Sequence, residues 1–142
     1  MRQSYRTALA FALQWEKWRS DVKGDSGGHT IWGVSTRWFP EDVKKMENMT
    51  QEESRAYVVD FYLREFWIRA GCDALPYPND WLAFDCAVNQ GVALARSLSK
   101  RHTDYRDFLL ARIKAYVDLP GQVLEGWPNR CFDLWQKIKE GG

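Results

Sequence analysis

Two carboxylates and a hydroxyl lie close together near the start of the chain: Glu16 follows an apolar run, Asp25 comes eight intervening residues later, and Thr30 follows a pair of glycines. A protonated carboxyl can give a proton to a leaving sugar oxygen, and a second, ionised carboxylate can direct water or attack the sugar. A threonine hydroxyl can hold the same water. The same residue types also suit an ordinary helix end and turn, so spacing alone leaves both interpretations open.

Glu16 lies on the apolar side of a predicted helix that runs from about residue 4 to residue 17. The stripe at helical spacing consists of Tyr5, Leu9, Ala12, Leu13 and Glu16. A carboxyl that is half removed from water favours its neutral form, and Trp15 and Trp18 on either side should strengthen this effect. We therefore expect Glu16 to be a proton-donating acid.

The glycine-rich segment 20–35 has little helical period and predicts a loop with a short β-hairpin, with Gly27-Gly28 at the turn. His29 and Trp32 flank Thr30 in this segment, and we predict that both contact substrate. An indole can pack on a sugar ring or fill a core, so both roles stay open for Trp32 and for Trp38.

Metal and thiol chemistry are alternatives that the sequence supports less well. A zinc site needs about three protein ligands; Asp25, His29 and His102 are candidates, but no His pair has helical spacing, and we expect no metal or organic cofactor. The cysteines are odd in number and have no Cys-x-x-Cys spacing, so we expect buried free thiols in a reducing compartment rather than disulfides or nucleophiles. They are Cys72, Cys86 and Cys131.

The bulk composition indicates one globular domain over residues 1–142, with 45% hydrophobic and 27% charged residues. Eight tryptophans are an unusual number and suit either a large core or a sugar-binding surface. The net charge of +1 gives no strong field for nucleic acid. We expect no membrane span and no secretory signal, because the apolar run at 8–13 is too short.

Helical periodicity governs the rest of the chain. Thr50-Gln-Glu-Glu53 is a capping box that should start a helix ending near Gly71. On the next helix, about 81–91, Asn89 and Asp85 share a face; Asn89 suits either a cleft or buried hydrogen bonds. Further helices are predicted at 94–98, at 104–118 and from 127 onward, where Arg130 is a candidate partner for a core carboxylate. The predicted fold class is mainly α, with a short β-hairpin after the first helix.

Taken in order, these pieces resemble the glycoside hydrolase family 108 type of phage and bacterial N-acetylmuramidase. The spacing of the acid, aspartate and threonine is also similar to the triad of phage-type lysozymes. One departure is that Lys17-Trp18 replaces the Gly-Gly that follows the family's glutamate. The matching pieces are Glu16, then Asp25-Ser-Gly-Gly-His-Thr30-Ile-Trp-Gly33-Val34, Thr50-Gln-Glu-Glu53, Phe66-Trp67, Phe84-Asp-Cys-Ala-Val-Asn-Gln-Gly91 and Gly126-Trp-Pro-Asn-Arg130.

The resemblance implies a lysozyme-like fold and hydrolysis of the β-1,4 bond between N-acetylmuramic acid and N-acetylglucosamine in peptidoglycan. Glu16 would be the general acid, and Asp25 with Thr30 would position water. It further implies a monomeric phage endolysin made in the host cytoplasm, delivered to the periplasmic face of the cell wall by a holin or a phage particle. Two alternatives remain: a lytic transglycosylase, and a non-catalytic phage structural or wall-binding module of the same fold.

Overall fold

The computed structural model describes residues 2–21, 29–119 and 127–141, and in these residues the chain is mainly helical with one small antiparallel sheet. The elements, in order, are α1 (Arg2–Trp15), β1 (Arg19–Asp21), β2 (His29–Ile31), β3 (Val34–Ser35), α2 (Pro40–Met46), α3 (Gln51–Tyr62), a π-helical segment (Leu63–Ile68), a 3-10 turn (Cys72–Ala74), α4 (Asn79–Gln90), α5 (Val92–Arg101), α6 (Tyr105–Val117) and α7 (Trp127–Lys139). The predicted class, mainly helical with a short β-hairpin after the first helix, is confirmed.

Backbone contacts divide the chain into two compact units. We call Leu9–Tyr62 the hairpin unit, and Met1–Ala8 together with Leu63–Gly142 the helical unit. That the whole chain forms a single domain stays a prediction. Among the described residues, no helix is both long enough and apolar enough to cross a membrane.

In the hairpin unit, α1 ends at Trp15, two residues earlier than the sequence predicts, so Glu16 lies just beyond the helix. Glu16 is half-buried and Trp15 is 37% exposed, and the expected shielding of Glu16 by Trp15 and Trp18 stays a prediction. The apolar stripe before it is buried as predicted, and its members in this unit, Leu9, Ala12 and Leu13, belong to the unit's core. The buried apolar residues of this unit include Leu9, Ala12, Leu13, Ile31, Val34, Val43, Met46, Val58 and Phe61.

The capping box at the start of α3 is confirmed in both directions. The Thr50 backbone N–H donates to Glu53 Oε2 at 2.8 Å, and the Glu53 N–H donates to Thr50 Oγ1 at 3.1 Å. Two backbone donors that would otherwise lack helical partners are thereby satisfied. This cap fixes the start of α3, the helix that carries Tyr62 at its far end.

The sheet has the order β1-β2-β3 with antiparallel pairing throughout. Its described hairpin turn is formed by Trp32 and Gly33, which join β2 to β3 with φ angles of 51° and 78°. Two successive positive φ angles are those of the tight type I′ turn, whose twist matches that of the flanking strands. Gly27-Gly28, where we predicted a turn, lies outside the described residues, and the turn at Trp32-Gly33 was not predicted.

The helical unit has a core of packed aromatic rings. Tyr5 lies edge-on to Trp67 and Phe84, with ring centroids 5.3 and 5.8 Å away, and the last two rings are 5.6 Å apart. Gly71 ends the preceding helical stretch with a φ of 76°, as predicted. Asp80 lies in the first turn of α4, where its Oδ1 accepts the Trp81 N–H at 2.8 Å.

One buried carboxylate joins three helices of this unit. Asp85 on α4 accepts Arg112 Nη1 of α6 at 2.7 Å and Arg130 Nη2 of α7 at 2.9 Å, and all three residues are buried. Burial by itself raises the pKa of Asp85, but the two guanidinium groups outweigh it and hold the pKa below its ordinary value. The predicted pairing of Arg130 with a core carboxylate is confirmed; the part played by Arg112 was missed.

The three cysteines are buried free thiols, as predicted. Burial is also the main reason that the pKa of the Cys86 thiol rises to about 11. A thiol with such a pKa is almost wholly protonated at neutral pH and is a poor nucleophile. The structure therefore supports a packing role for Cys86.

Candidate active site

The carboxyl group of Glu16 lies directly against the hairpin turn. A Cβ atom added to Gly33 would stand 2.7 Å from Glu16 Oε2 and 2.8 Å from the hydroxyl oxygen of Tyr62. Real Cβ atoms do not approach other atoms so closely, so the acid and the phenol converge on space that only a glycine leaves open. Glu16, the candidate proton donor, thus lies where three elements meet: the end of α1, the β2–β3 turn and the end of α3.

Gly33 is required at this point for two independent reasons. Its φ of 78° is in the left-handed region, where a side chain costs energy. Its missing side chain leaves the room that the Glu16 carboxylate occupies. This glycine closes the motif that starts with Asp25 in the sequence, and the structure gives a physical reason for a glycine at position 33.

Hydrogen bonds fix the turn beneath the acid from several sides. Tyr62 Oη donates to the carbonyl of Trp32 at 2.6 Å, and both residues are buried. The Trp32 N–H donates to the Trp18 carbonyl at 2.9 Å, and its indole Nε1 donates to Ser54 Oγ at 3.0 Å.

Thr30 lies on β2, two residues before the turn dipeptide. It pairs with Ser20 on β1 and with Ser35 on β3. Since side chains alternate along a strand, Thr30 points to the face opposite the fully buried Ile31. Its half-buried position leaves part of the side chain accessible, as the positioning of water would require.

The other predicted site residues have different outcomes. Asp25 lies outside the described residues. His29 is half-buried on β2, and its carbonyl accepts both the N–H and the hydroxyl of Thr36, at 3.0 and 2.7 Å. Trp32 was predicted to contact substrate, but only 7% of it is exposed and its indole N–H is bound to Ser54. This burial favours the core role that the sequence left open for Trp32, and its contact with substrate stays a prediction.

Asn89 belongs to the helical unit, and its amide group is already bound. Nδ2 donates to the Asp85 carbonyl at 2.8 Å and lies 3.3 Å from Asp85 Oδ2. These contacts support the structural role that the sequence left open, and substrate binding by Asn89 stays a prediction. Within the described ranges, no three His, Cys, Asp or Glu side chains form a group that could hold a metal ion.

Sequence reasoning missed Tyr62 and Ser54 as parts of the site. Both lie on α3, where the sequence shows only a helix with apolar residues at regular spacing. Tyr62 falls on that apolar stripe, so it reads as a core residue, and nothing local reveals that its hydroxyl reaches a turn thirty residues earlier. A tyrosine among Val and Phe residues is the one available signal, because a buried phenol needs a hydrogen-bond partner.

Comparison with known protein families identifies the class of this protein as a glycoside hydrolase. The chain belongs to the glycosyl hydrolase 108 family, whose model matches residues 9–91, a span that includes Glu16, the β2–β3 turn and α3. A solved structure, described as that of Brucella abortus SagA, has the same fold with a TM-score of 0.78 and 17% sequence identity, over 99% of this chain and 96% of that one. A search of curated proteins finds no match. The family resemblance and the lysozyme-like fold class predicted from the motifs are thereby confirmed.

Proposed function

We propose that this glycoside hydrolase cleaves the β-1,4 bond between N-acetylmuramic acid and N-acetylglucosamine in peptidoglycan. The observation that carries the proposal is the Glu16 carboxyl, fixed against the side-chain-free surface of Gly33 and beside the Tyr62 hydroxyl. Family membership supports peptidoglycan as the substrate class. Glu16 is half-buried, so it is accessible to substrate and still partly shielded from water.

In this mechanism Glu16 protonates the glycosidic oxygen as the bond breaks and positive charge develops on the sugar ring. Proton transfer by a positioned group of this kind contributes about 10²- to 10⁴-fold to a rate. Position matters because small displacements of a catalytic group are costly. The turn at Trp32-Gly33 and the phenol of Tyr62 supply that positioning.

Asp25 and Thr30 are proposed to hold the water that attacks the sugar. The role of Asp25 rests on the motif that links it to Thr30 and Gly33 in the sequence. The role of Thr30 is supported by its half-buried place on the face opposite Ile31. An ionised Asp25 accepts a proton from water that the Thr30 hydroxyl helps to orient.

The main rival reaction is that of a lytic transglycosylase, which needs one acid and no water-positioning aspartate. Mass spectrometry of digested peptidoglycan separates the two, because a hydrolase leaves a reducing N-acetylmuramic acid end and a transglycosylase leaves a 1,6-anhydro end. We expect the reducing sugar. A predominance of anhydro ends would overturn hydrolysis, and intact glycan strands after long incubation would favour a non-catalytic module.

The biological setting proposed is cell-wall lysis by a phage endolysin. The protein would act as a monomer in the periplasm, after a holin or a phage particle has given it access to the wall. The test is expression in bacteria with and without a holin. Lysis that depends on the holin supports this setting, whereas lysis by the protein alone contradicts the need for a separate delivery protein.

A further inference from the structure

The turn between β3 and α2 presents an exposed indole next to a cation. Trp38 is 67% exposed, and the guanidinium carbon of Arg37 lies 4.8 Å from the centroid of its ring. Arg37 covers one face of the indole in the manner of a cation–π contact. Because 67% of Trp38 is exposed with Arg37 in place, indole surface remains accessible to a ligand.

Hydrogen bonds hold this turn on the sheet. The Trp38 N–H donates to the Ser35 carbonyl at 3.2 Å, and the Arg37 N–H donates to Ser35 Oγ at 3.1 Å. The Thr36 N–H and hydroxyl both donate to the carbonyl of His29 on β2. The indole is thus presented by a fixed backbone, and a rigid aromatic contact loses little conformational freedom on binding.

The turn also lies close to the water-positioning candidate. Thr30 and Ser35 are cross-strand partners, and such partners have Cα atoms about 5 Å apart. The turn hydrogen bond from Trp38 to Ser35 brings these two residues within about 7 Å of each other. The separation between Thr30 and Trp38 is therefore one that a glycan strand of a few sugar units can span.

We propose that Arg37 and Trp38 form a binding platform for the glycan strand beside the site of cleavage, an inference that rests on the proposed function. The open face of Trp38 packs on the apolar face of a pyranose ring. The Arg37 guanidinium binds a carboxylate, which muramic acid units carry on their lactyl group or attached peptide and N-acetylglucosamine units lack. The pair thus favours a strand that presents both a ring face and a carboxylate.

The experiment measures binding to purified, insoluble peptidoglycan by co-sedimentation, with every variant made in a Glu16→Gln background so that the substrate stays intact. Trp38→Ala should weaken binding by about five- to tenfold, and Trp38→Phe should restore part of it because a ring remains. Phe132→Ala is the matched control: Phe132 is a similarly exposed aromatic residue, 70% exposed on α7, and its loss should leave binding unchanged.

Arg37 is tested with the same sedimentation and two probes, native peptidoglycan and peptidoglycan whose carboxylates have been amidated. The parent should bind the native form more tightly, and Arg37→Ala should reduce that preference. Equal binding by Trp38→Ala, Phe132→Ala and the parent overturns the platform, as does an unchanged preference in Arg37→Ala. Because these measurements compare binding among variants that share one background, failure of the platform is distinguishable from failure of the Glu16 assignment, which is tested by the rate of cleavage.

Discussion

At the scale of single residues, the site depends on what Gly33 lacks. The Glu16 carboxylate and the Tyr62 hydroxyl both lie where a side chain on Gly33 would be. A methyl group on Gly33 must displace at least one of them, because its carbon would lie 2.7 Å from Glu16 Oε2 and 2.8 Å from the Tyr62 hydroxyl oxygen. The position of the acid is therefore sensitive to a change of one carbon atom at a residue that takes no part in the chemistry.

Gly33→Ala should lower kcat by about a hundredfold, because a shift of about 1 Å in a catalytic group has an effect of that order. It should also cost about 1–2 kcal/mol of stability, since alanine is strained at positive φ. Gly71→Ala is the control: Gly71 has a φ of 76°, but nothing lies within 4 Å of its would-be Cβ. It should lose stability in thermal unfolding and keep its kcat; equal losses of kcat in both variants would contradict the steric explanation.

Tyr62→Phe removes the hydroxyl that binds the Trp32 carbonyl and leaves that buried carbonyl without its phenol partner. We expect a loss of about 1–3 kcal/mol in urea unfolding and a fall in kcat with little change in KM, because the turn beneath Glu16 loosens. Tyr57→Phe on the same helix is the control, since Tyr57 Oη binds Asp42 Oδ1 at 2.6 Å. If Tyr57→Phe lowers kcat as much as Tyr62→Phe, then Tyr62 does not position the acid.

At the scale of elements, the helical unit is held by a charge cluster that the active site does not use. Asp85 joins α4 to α6 and α7, and loss of its charge would take this counter-ion from two buried guanidinium groups. The pKa of Asp85 is lower in the folded protein than in the unfolded chain. Its contribution to stability is therefore complete above the unfolded-state pKa and is lost as pH falls through the folded-state pKa.

Asp85→Asn should destabilise the protein by about 3–5 kcal/mol near neutral pH. The difference from the parent should shrink as pH falls below about 4, where the Asp85 carboxyl of the unfolded chain begins to take up a proton while that of the folded protein is still ionised. Urea unfolding across this pH range measures both effects. Asp104→Asn, which removes the exposed partner of Arg106, should change stability only slightly. A deficit for Asp85→Asn that is the same at all pH values would contradict the electrostatic explanation.

At the scale of the whole molecule, local patterns predicted the elements better than they predicted the contacts between them. The capping box at Thr50 and the helix end at Gly71 follow from a few neighbouring residues, and both are confirmed. Arg112 was missed because a charged residue in a helix reads as surface unless its distant partner is known. The hairpin turn at Trp32 was missed because a tryptophan at positive φ is rare, and only contacts from distant elements hold it there.

In the candidate site, too, local patterns identified residues but not the long-range contacts between them. Glu16 and Thr30 were identified from residue type, spacing and family resemblance, and the family is confirmed. Tyr62 contributes through a hydrogen bond to a residue thirty positions away, which no local pattern encodes. The sequence left both core packing and sugar binding open for Trp32 and Trp38. In the structure Trp32 is buried and Trp38 is exposed.

The most direct test of the central claim compares the parent with Glu16→Gln in the release of reducing N-acetylmuramic acid ends from purified peptidoglycan. Glutamine keeps the shape of the side chain but cannot donate the carboxyl proton. The rate should therefore fall by about 10²- to 10⁴-fold, while thermal unfolding shows a folded protein and co-sedimentation shows retained binding. A Glu16→Gln variant that is folded and releases these ends as fast as the parent would contradict the assignment of Glu16 as the general acid.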